Sequence, residues 1–218
     1  LQTRRQSFGV VRTIPRGNIE NRFAINYQRE MLAPDDSRWQ ALTDRLLGEG
    51  LPVGDIYLHL PRFVALVGSL NAQHVIELGS RSGVSTVAWL YGLAITGGRL
   101  TSVDLDPAPE VGSWSHWRHI QGDDLSMNVL GQLDGADIVF IDTSHHYEQT
   151  VKELHVYRWL VKPGGVIVCH DTELPIPEGA PPHPRFPVKK AVVEFCEAEG
   201  FDVKFYEDCW GLAVIKVR

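Results

Sequence analysis

The stretch HVIELGSRSGVSTVAWLYGLAIT, residues 74–96, decides the fold. Its first five residues, His-Val-Ile-Glu-Leu, are apolar at three positions and read as a strand. The last thirteen read as a helix, closed by Gly97-Gly98. Between them lies GSRSG, a turn whose glycines allow close backbone approach to a ligand, ahead of a helix N-terminus with unbonded N–H groups.

Working outward, the alternation continues. RLTSVDL (99–105) reads as a strand, and RHIQ (118–121) as a short one after a Trp-rich connection. LSMNVLGQL (125–133) reads as a helix, DIVFID (137–142) as a strand and YEQTVKELHVYRWLV (147–161) as a helix. GVIVCHD (165–171) is a strand; VKKAVVEFCEAEG (188–200) is a helix with Val188, Ala191, Val192, Phe195 and Cys196 at helical spacing. FDVKFYE and GLAVIKV, joined by DCW, predict a terminal hairpin. Strands alternating with helices predict an α/β fold: a doubly wound, seven-stranded, mostly parallel sheet with a C-terminal antiparallel hairpin. Ligands in such sheets lie at the carboxyl ends of the strands, near the topological switch point. Upstream, DIYLHLPRFVALVGSL from Asp55 reads as a helix that Pro61 either kinks or starts. Residues 1–54, with six arginines before residue 30, form an N-terminal arm or helical cap, and 55–218 the main domain.

Composition narrows the class. With 218 residues and 44% hydrophobic content, the chain supports one well-packed domain. Twenty-one basic against 27 acidic residues give a net charge of −6, which argues against nucleic acid as the main partner. No apolar run approaches the roughly 18 residues of a membrane span, and no signal peptide is visible. Cys169, Cys196 and Cys209 are odd in number, far apart and set among apolar residues, the pattern of reduced core thiols in a cytoplasmic protein.

The polar residues gather at the strand ends. Glu77, Gly79, Ser80 and Gly83 follow the first strand, and Asp104 closes the second, where a carboxylate accepts both hydroxyls of a ribose. Together they indicate a nucleoside cofactor. The spacing G-x-x-x-G departs from the dinucleotide pattern G-x-G-x-x-G, and no Gly-Lys-Ser/Thr follows as in a phosphate loop. The fourth and fifth strands end in Asp142 and Asp171, which should be neighbours; two such carboxylates repel or share a cation. Mg²⁺ suits oxygen ligands and keeps waters that substrate hydroxyls displace.

Glu77-Leu-Gly-Ser-Arg-Ser-Gly83, Asp104, GDD at 122–124, FIDTSHHYEQTVKEL and LVKPGGVIVCHD together resemble class I S-adenosylmethionine-dependent methyltransferases. The likeness covers roughly residues 55–218. It is nearest to the group containing catechol-type and sugar O-methyltransferases and the cephalosporin-hydroxylase-like proteins. The resemblance implies that Glu77 and the Gly79–Gly83 loop, with Ser80, surround the methionine part of S-adenosylmethionine, and adds Ser85 to the cofactor set. It gives the ribose to Asp104, and the adenine to Asp123 or Asp124. Asp142 matches the aspartate that, in metal-dependent members, ligates a divalent cation; otherwise it orients a substrate or cofactor hydroxyl. Asp171 is the matching second ligand; Thr172 stands where those members carry Asp or Asn, and a neutral hydroxyl is a poor ligand. His145 matches the general base, and a near-neutral pKa suits it to take a hydroxyl proton.

The expected activity is methyl transfer from S-adenosylmethionine to a hydroxyl of a small polar molecule, a sugar or natural-product intermediate, with or without Mg²⁺. A non-catalytic cofactor-binding accessory protein is the alternative, and a nicotinamide oxidoreductase stands third. Relatives' habits add self-association. His146 is expected to cap the next helix or face solvent, and His170 to point back into the sheet. Trp114 and Trp117 flank the adenine or line the sheet edge, with plain packing the favoured reading. TELPIPEGAPPHPRFP (172–187), with six prolines, is far longer than the usual connection of about 2–6 residues and reads as a substrate-facing segment in which His183 and Arg185 contact the acceptor or are solvated.

Overall fold

Strands that are apolar along their whole length need cover on both sides, and the chain supplies it. The computed structural model describes residues 56–111, 114–174 and 188–218. The expected N-terminal arm or cap, and most of the proline-rich segment with His183 and Arg185, lie outside the described residues.

A 3₁₀ turn, Ile56–His59, leads into α1 (Leu60–Leu70). Pro61 sits in the first turn of α1, where its missing N–H has no partner to lose, so it starts the helix and does not kink it. The order then runs β1 (His74–Leu78), α2 (Val84–Thr96), β2 (Arg99–Asp104), β3 (Trp117–Gln121), α3 (Met127–Leu130) and β4 (Ala136–Ile141). It continues with α4 (Tyr147–Tyr157), β5 (Val161–His170), α5 (Val188–Glu199), β6 (Asp202–Tyr206) and β7 (Leu212–Lys216).

The sheet order is β3-β2-β1-β4-β5-β7-β6. β1 pairs in parallel with both β2 and β4, so the chain reverses its direction of travel between these two neighbours. That crevice is the switch point. β7 inserts between β5 and β6, antiparallel to both.

Alternation along β1 splits the core. Ile76 and Leu78 join Leu154, Tyr157, Val192 and Phe195 from α4 and α5 on one face. Val75 joins Phe63, Val67, Trp89 and Leu93 from α1 and α2 on the other. There Phe63 stacks on Trp89 with ring centres 4.2 Å apart, and Phe140 tilts against both. Truncating a buried aromatic of this kind to alanine costs about 3–5 kcal/mol.

Three boundaries differ from the sequence expectation. The helix expected over 125–133 shrinks to α3, because Ser126 caps it by accepting the Val129 N–H and Gly131 closes it. The helix expected over 147–161 ends at Tyr157, since Val161 already pairs with Ala136. β5 therefore starts earlier than residue 165, and a register shift between Ala136 and Ile138 accommodates Pro163 and its glycines. The three cysteines are buried free thiols. No helix among the described residues is long and apolar enough to cross a membrane.

Candidate active site

A cavity of about 1070 Å³ opens at the carboxyl ends of β1, β2, β4 and β5. One end is made mostly of backbone. Gly79 adopts φ +85°, and a Cβ there would lie 2.0 Å from the Asp142 carbonyl oxygen, so the position accepts no side chain. Its N–H donates to the Val103 carbonyl and the Asp142 N–H donates to the Leu78 carbonyl, both at 2.9 Å. The glycine turn is thus stitched to β2 and β4. Gly83 takes the N-cap position of α2 and does not itself line the cavity.

Asp104 is locked into this turn. Its Oδ2 accepts N–H bonds from Ser80 (2.7 Å) and Arg81 (2.8 Å) and the Ser80 hydroxyl (3.2 Å). Its Oδ1 accepts the Asp106 N–H at 3.0 Å. Partial burial pushes the carboxyl pKa up, but these donors win and hold it below its ordinary value. An ionised carboxylate therefore faces the cavity beside Gly79, Ser80 and Ser85.

Glu77 sits elsewhere. It is fully buried and does not line the cavity. Its oxygens accept the hydroxyls of Ser85 (2.6 Å), Thr86 (2.8 Å) and Ser102 (2.5 Å), tying α2 to β1 and β2. Burial raises its pKa to about 7 against the pull of those three donors. Glu77 braces the turn from below. Asp123 and Asp124 both line the far side, where Asp123 Oδ1 accepts the Leu125 N–H.

The other end is made of side chains. His145 Nε2 lies 3.3 Å from Asp142 Oδ1 and 2.8 Å from Asp171 Oδ2. His170 Nδ1 lies 3.5 Å from Asp142 Oδ1 and 3.3 Å from Asp171 Oδ1, while its Nε2 meets the Cys209 carbonyl at 3.0 Å. Two carboxylates and two imidazoles thus form one quartet. Burial opposes charge on every member, yet the opposite charges prevail. Asp142 and Asp171 are held below the usual carboxylate range, His145 rises to about 9 and His170 to about 11. His145 is the outer imidazole, its side chain 31% exposed against 2% for His170. His145 and Asp171 both have left-handed backbones, φ +59° and +61°, a conformation that costs side-chain-bearing residues about 1–3 kcal/mol and gathers at functional sites.

The oxygen set expected for Mg²⁺ is not assembled. Thr172 does not line the cavity, and its hydroxyl is buried against Gly211, where an added Cβ would lie 2.4 Å away. His170 stands at that side of the carboxylates instead, so among the described residues the groups close enough to share an ion are Asp142, His170 and Asp171, within 4.8 Å of one another. A mixed nitrogen and oxygen set suits borderline cations better than Mg²⁺. The two imidazoles already answer both carboxylates.

Residues that the sequence reading left out of the site include His170, Trp210 and Gln149, which all line the cavity. Trp210 is presented by a turn in which Cys209 and Trp210 both have positive φ. His170 carried a visible signal, its place next to Asp171, but alternation alone points it into the sheet. His146 occupies the N-cap position of α4. Trp114 and Trp117 pack on the α1/α2 side of the core and do not line the cavity.

Residues 76–172 match a protein-family model described as a methyltransferase domain. No curated protein sequence matches the chain. Among solved structures, the chain is similar to the O-methyltransferase TomG from Streptomyces achromogenes, involved in tomaymycin synthesis and solved with SAM. That match has 17% identity, covers 89% of this chain and 95% of TomG, and gives a TM-score of 0.63. An O-methyltransferase from Bacillus cereus in complex with SAH matches at 19% identity, 88% and 96% coverage and a TM-score of 0.62. The SAH-bound methyltransferase PaMTH1 from Podospora anserina matches at 16% identity, 95% and 100% coverage and 0.63. At such identities these likenesses establish the fold, and the chemistry rests on the site.

Proposed function

We propose, from the premise that residues 76–172 form a methyltransferase domain on the class I fold, that this enzyme moves a methyl group from S-adenosylmethionine to a hydroxyl of a small polar molecule. The observation that carries the reading is the juxtaposition of two unlike ends in one cavity: an ionised Asp104 beside the glycine turn, and His145 held between two carboxylates. The bound cofactors of TomG and the Bacillus cereus enzyme support the choice of cofactor.

In this reading Asp104 accepts the ribose hydroxyls, the Gly79–Ser80 backbone lies along the methionine part, and Asp123 or Asp124 meets the adenine. Ser85, at the head of α2, faces the same part of the cavity. The sulfonium methyl group then points towards the β4–β5 end. His145 Nε2 is committed to Asp142 and Asp171, which leaves Nδ1 to take the acceptor proton. A lone pair of the acceptor oxygen forms the new C–O bond as the C–S bond breaks, its electrons passing to sulfur. The proton goes to His145, and Asp142 and Asp171 stabilise the imidazolium. Alignment of oxygen with the methyl group supplies much of the remaining acceleration. No step is routed through Mg²⁺. A sugar or natural-product hydroxyl fits a cavity walled by carboxylates and imidazoles, with Trp210 offering one flat face.

Calorimetric titration of S-adenosylmethionine and of S-adenosylhomocysteine tests the reading. Micromolar binding of both, weakened in Asp104→Ala, is the expected result. No heat with either ligand overturns it.

A further inference from the structure

Behind Asp124, at the Asp123–Asp124 end of the cavity, lies a buried acid that the reaction does not use. Glu153, on α4, is completely buried. Its Oε1 accepts the Thr143 hydroxyl at 2.7 Å and the Gln149 amide at 2.9 Å. The same Gln149 nitrogen donates to Asp124 Oδ1 at 3.3 Å, and the Tyr157 hydroxyl donates to the Asp124 carbonyl at 2.8 Å. The remaining oxygens, Glu153 Oε2 and Asp124 Oδ2, are both buried without a hydrogen-bond partner among the described residues, and the Gln149 amide nitrogen bridges the two carboxyls.

Two ionised carboxylates only accept, so neither orphan oxygen can satisfy the other. One proton between them satisfies both. An unpaired buried acceptor costs about 1–3 kcal/mol, and here there would be two of them facing each other as like charges. Asp124 lines the cavity and Glu153 does not, so Glu153 is the acid with less access to water.

We infer that Glu153 is a positioning residue: as a neutral carboxylic acid it donates to Asp124 and fixes that carboxylate as an acceptor for the amino group of the cofactor's purine. The inference rests on the reading that the adenine lies at Asp123–Asp124. Its surroundings favour the neutral form. Burial first, then the Asp124 charge, raises Glu153 to about 8, and the other ionisable groups around the pair, Asp123, Tyr157 and Cys169, are acids too. Thr143, bonded to the same carboxyl, directly follows Asp142, so one buried acid connects the adenine end to the reacting end.

The experiment is the affinity for S-adenosylhomocysteine from pH 7 to 9.5, in the parent and in Glu153→Gln. The amide keeps a donor that cannot ionise. The parent should lose roughly tenfold in affinity across this range, one factor of ten being about 1.4 kcal/mol. Glu153→Gln should bind within about threefold of the parent at pH 7 and show a much flatter response. Titration of the ligand's own amine is common to both proteins and cancels. Equal slopes in the two proteins overturn the inference and leave the methyltransferase reading standing; absence of binding at every pH overturns both. Should Glu153→Gln fail to fold, the infrared band of a buried protonated carboxyl decides in Glu77→Gln, which removes the other glutamate whose pKa burial raises. Its presence at pH 7 and loss through about 8 are expected, and its absence at pH 7 overturns the inference.

Discussion

The two ends of the cavity are built by opposite means. At the Asp104 end, backbone N–H groups from consecutive residues hold one carboxylate, and the glycine turn is short enough to be specified locally. At the β4–β5 end, four side chains from two strands and the turns that follow them hold one another by charge; His145–Asp142 and His170–Asp171 are local, while His145–Asp171 and His170–Asp142 are made only when β4 and β5 lie side by side. The first end should therefore behave as a binding surface, removable one contact at a time. The second should behave as a single electrostatic unit.

The most severe way to break this contrast is at His145. His145→Ala should lower methyl transfer by about 10²–10⁴-fold, the usual worth of a positioned acid–base group, with affinity for S-adenosylhomocysteine nearly unchanged. Parent-like turnover would remove His145 from the mechanism.

Acidity offers the next largest effect. With His145 raised to about 9, most of the imidazole is protonated at neutral pH, so turnover should climb by up to roughly tenfold per unit and level off near pH 9. Stability should move the other way. A histidine raised above its ordinary 6.5 contributes fully below that value and loses its contribution as pH rises through about 9, so the melting temperature should fall over the window in which activity grows. A flat pH–rate profile would contradict the electrostatic unit.

Asp104→Ala sharpens the comparison from the other side. Losing a charged acceptor of two hydroxyls, at about 1.5–3 kcal/mol, should weaken cofactor binding by roughly 10–100-fold while saturating cofactor restores most of the turnover. Unchanged affinity would take the ribose away from Asp104.

The smallest effect is expected from Mg²⁺. Because Thr172 is buried against Gly211 and both carboxylates are answered by imidazoles, chelator or added Mg²⁺ should change turnover by no more than about twofold. Loss of activity in chelator, restored by Mg²⁺, would show that the quartet opens to admit an ion.

What was legible in the sequence follows the same divide. β1 and α2 run to the residues where HVIEL and VSTVAWLYGLAIT begin and end, because their limits are set by local glycines. Asp104, Asp142 and His145 were readable as strand-end residues. Glu77 shows the limit of such reading: a glutamate next to a glycine turn looks ligand-facing, but the pleat directs it under α2, where Ser85, Thr86 and Ser102 wait. His170, not Thr172, meets the two carboxylates, and the left-handed Asp171 between them has no glycine to announce it. The bulged start of β5 depends on pairing across the sheet, which a one-dimensional pattern does not contain.

The insertion of β7 between β5 and β6 bears on how the protein is made. The strand that completes the far flank of β5 is the last of the seven to leave the ribosome. Until Lys216 has emerged, β5 presents a row of unanswered peptide groups from Val166 to His170, the kind of edge at which nascent chains pair with one another. During synthesis that edge must stay solvated or shielded. A ribosome stalled before Leu212 would release a chain that carries every residue of the quartet and no finished sheet to hold them.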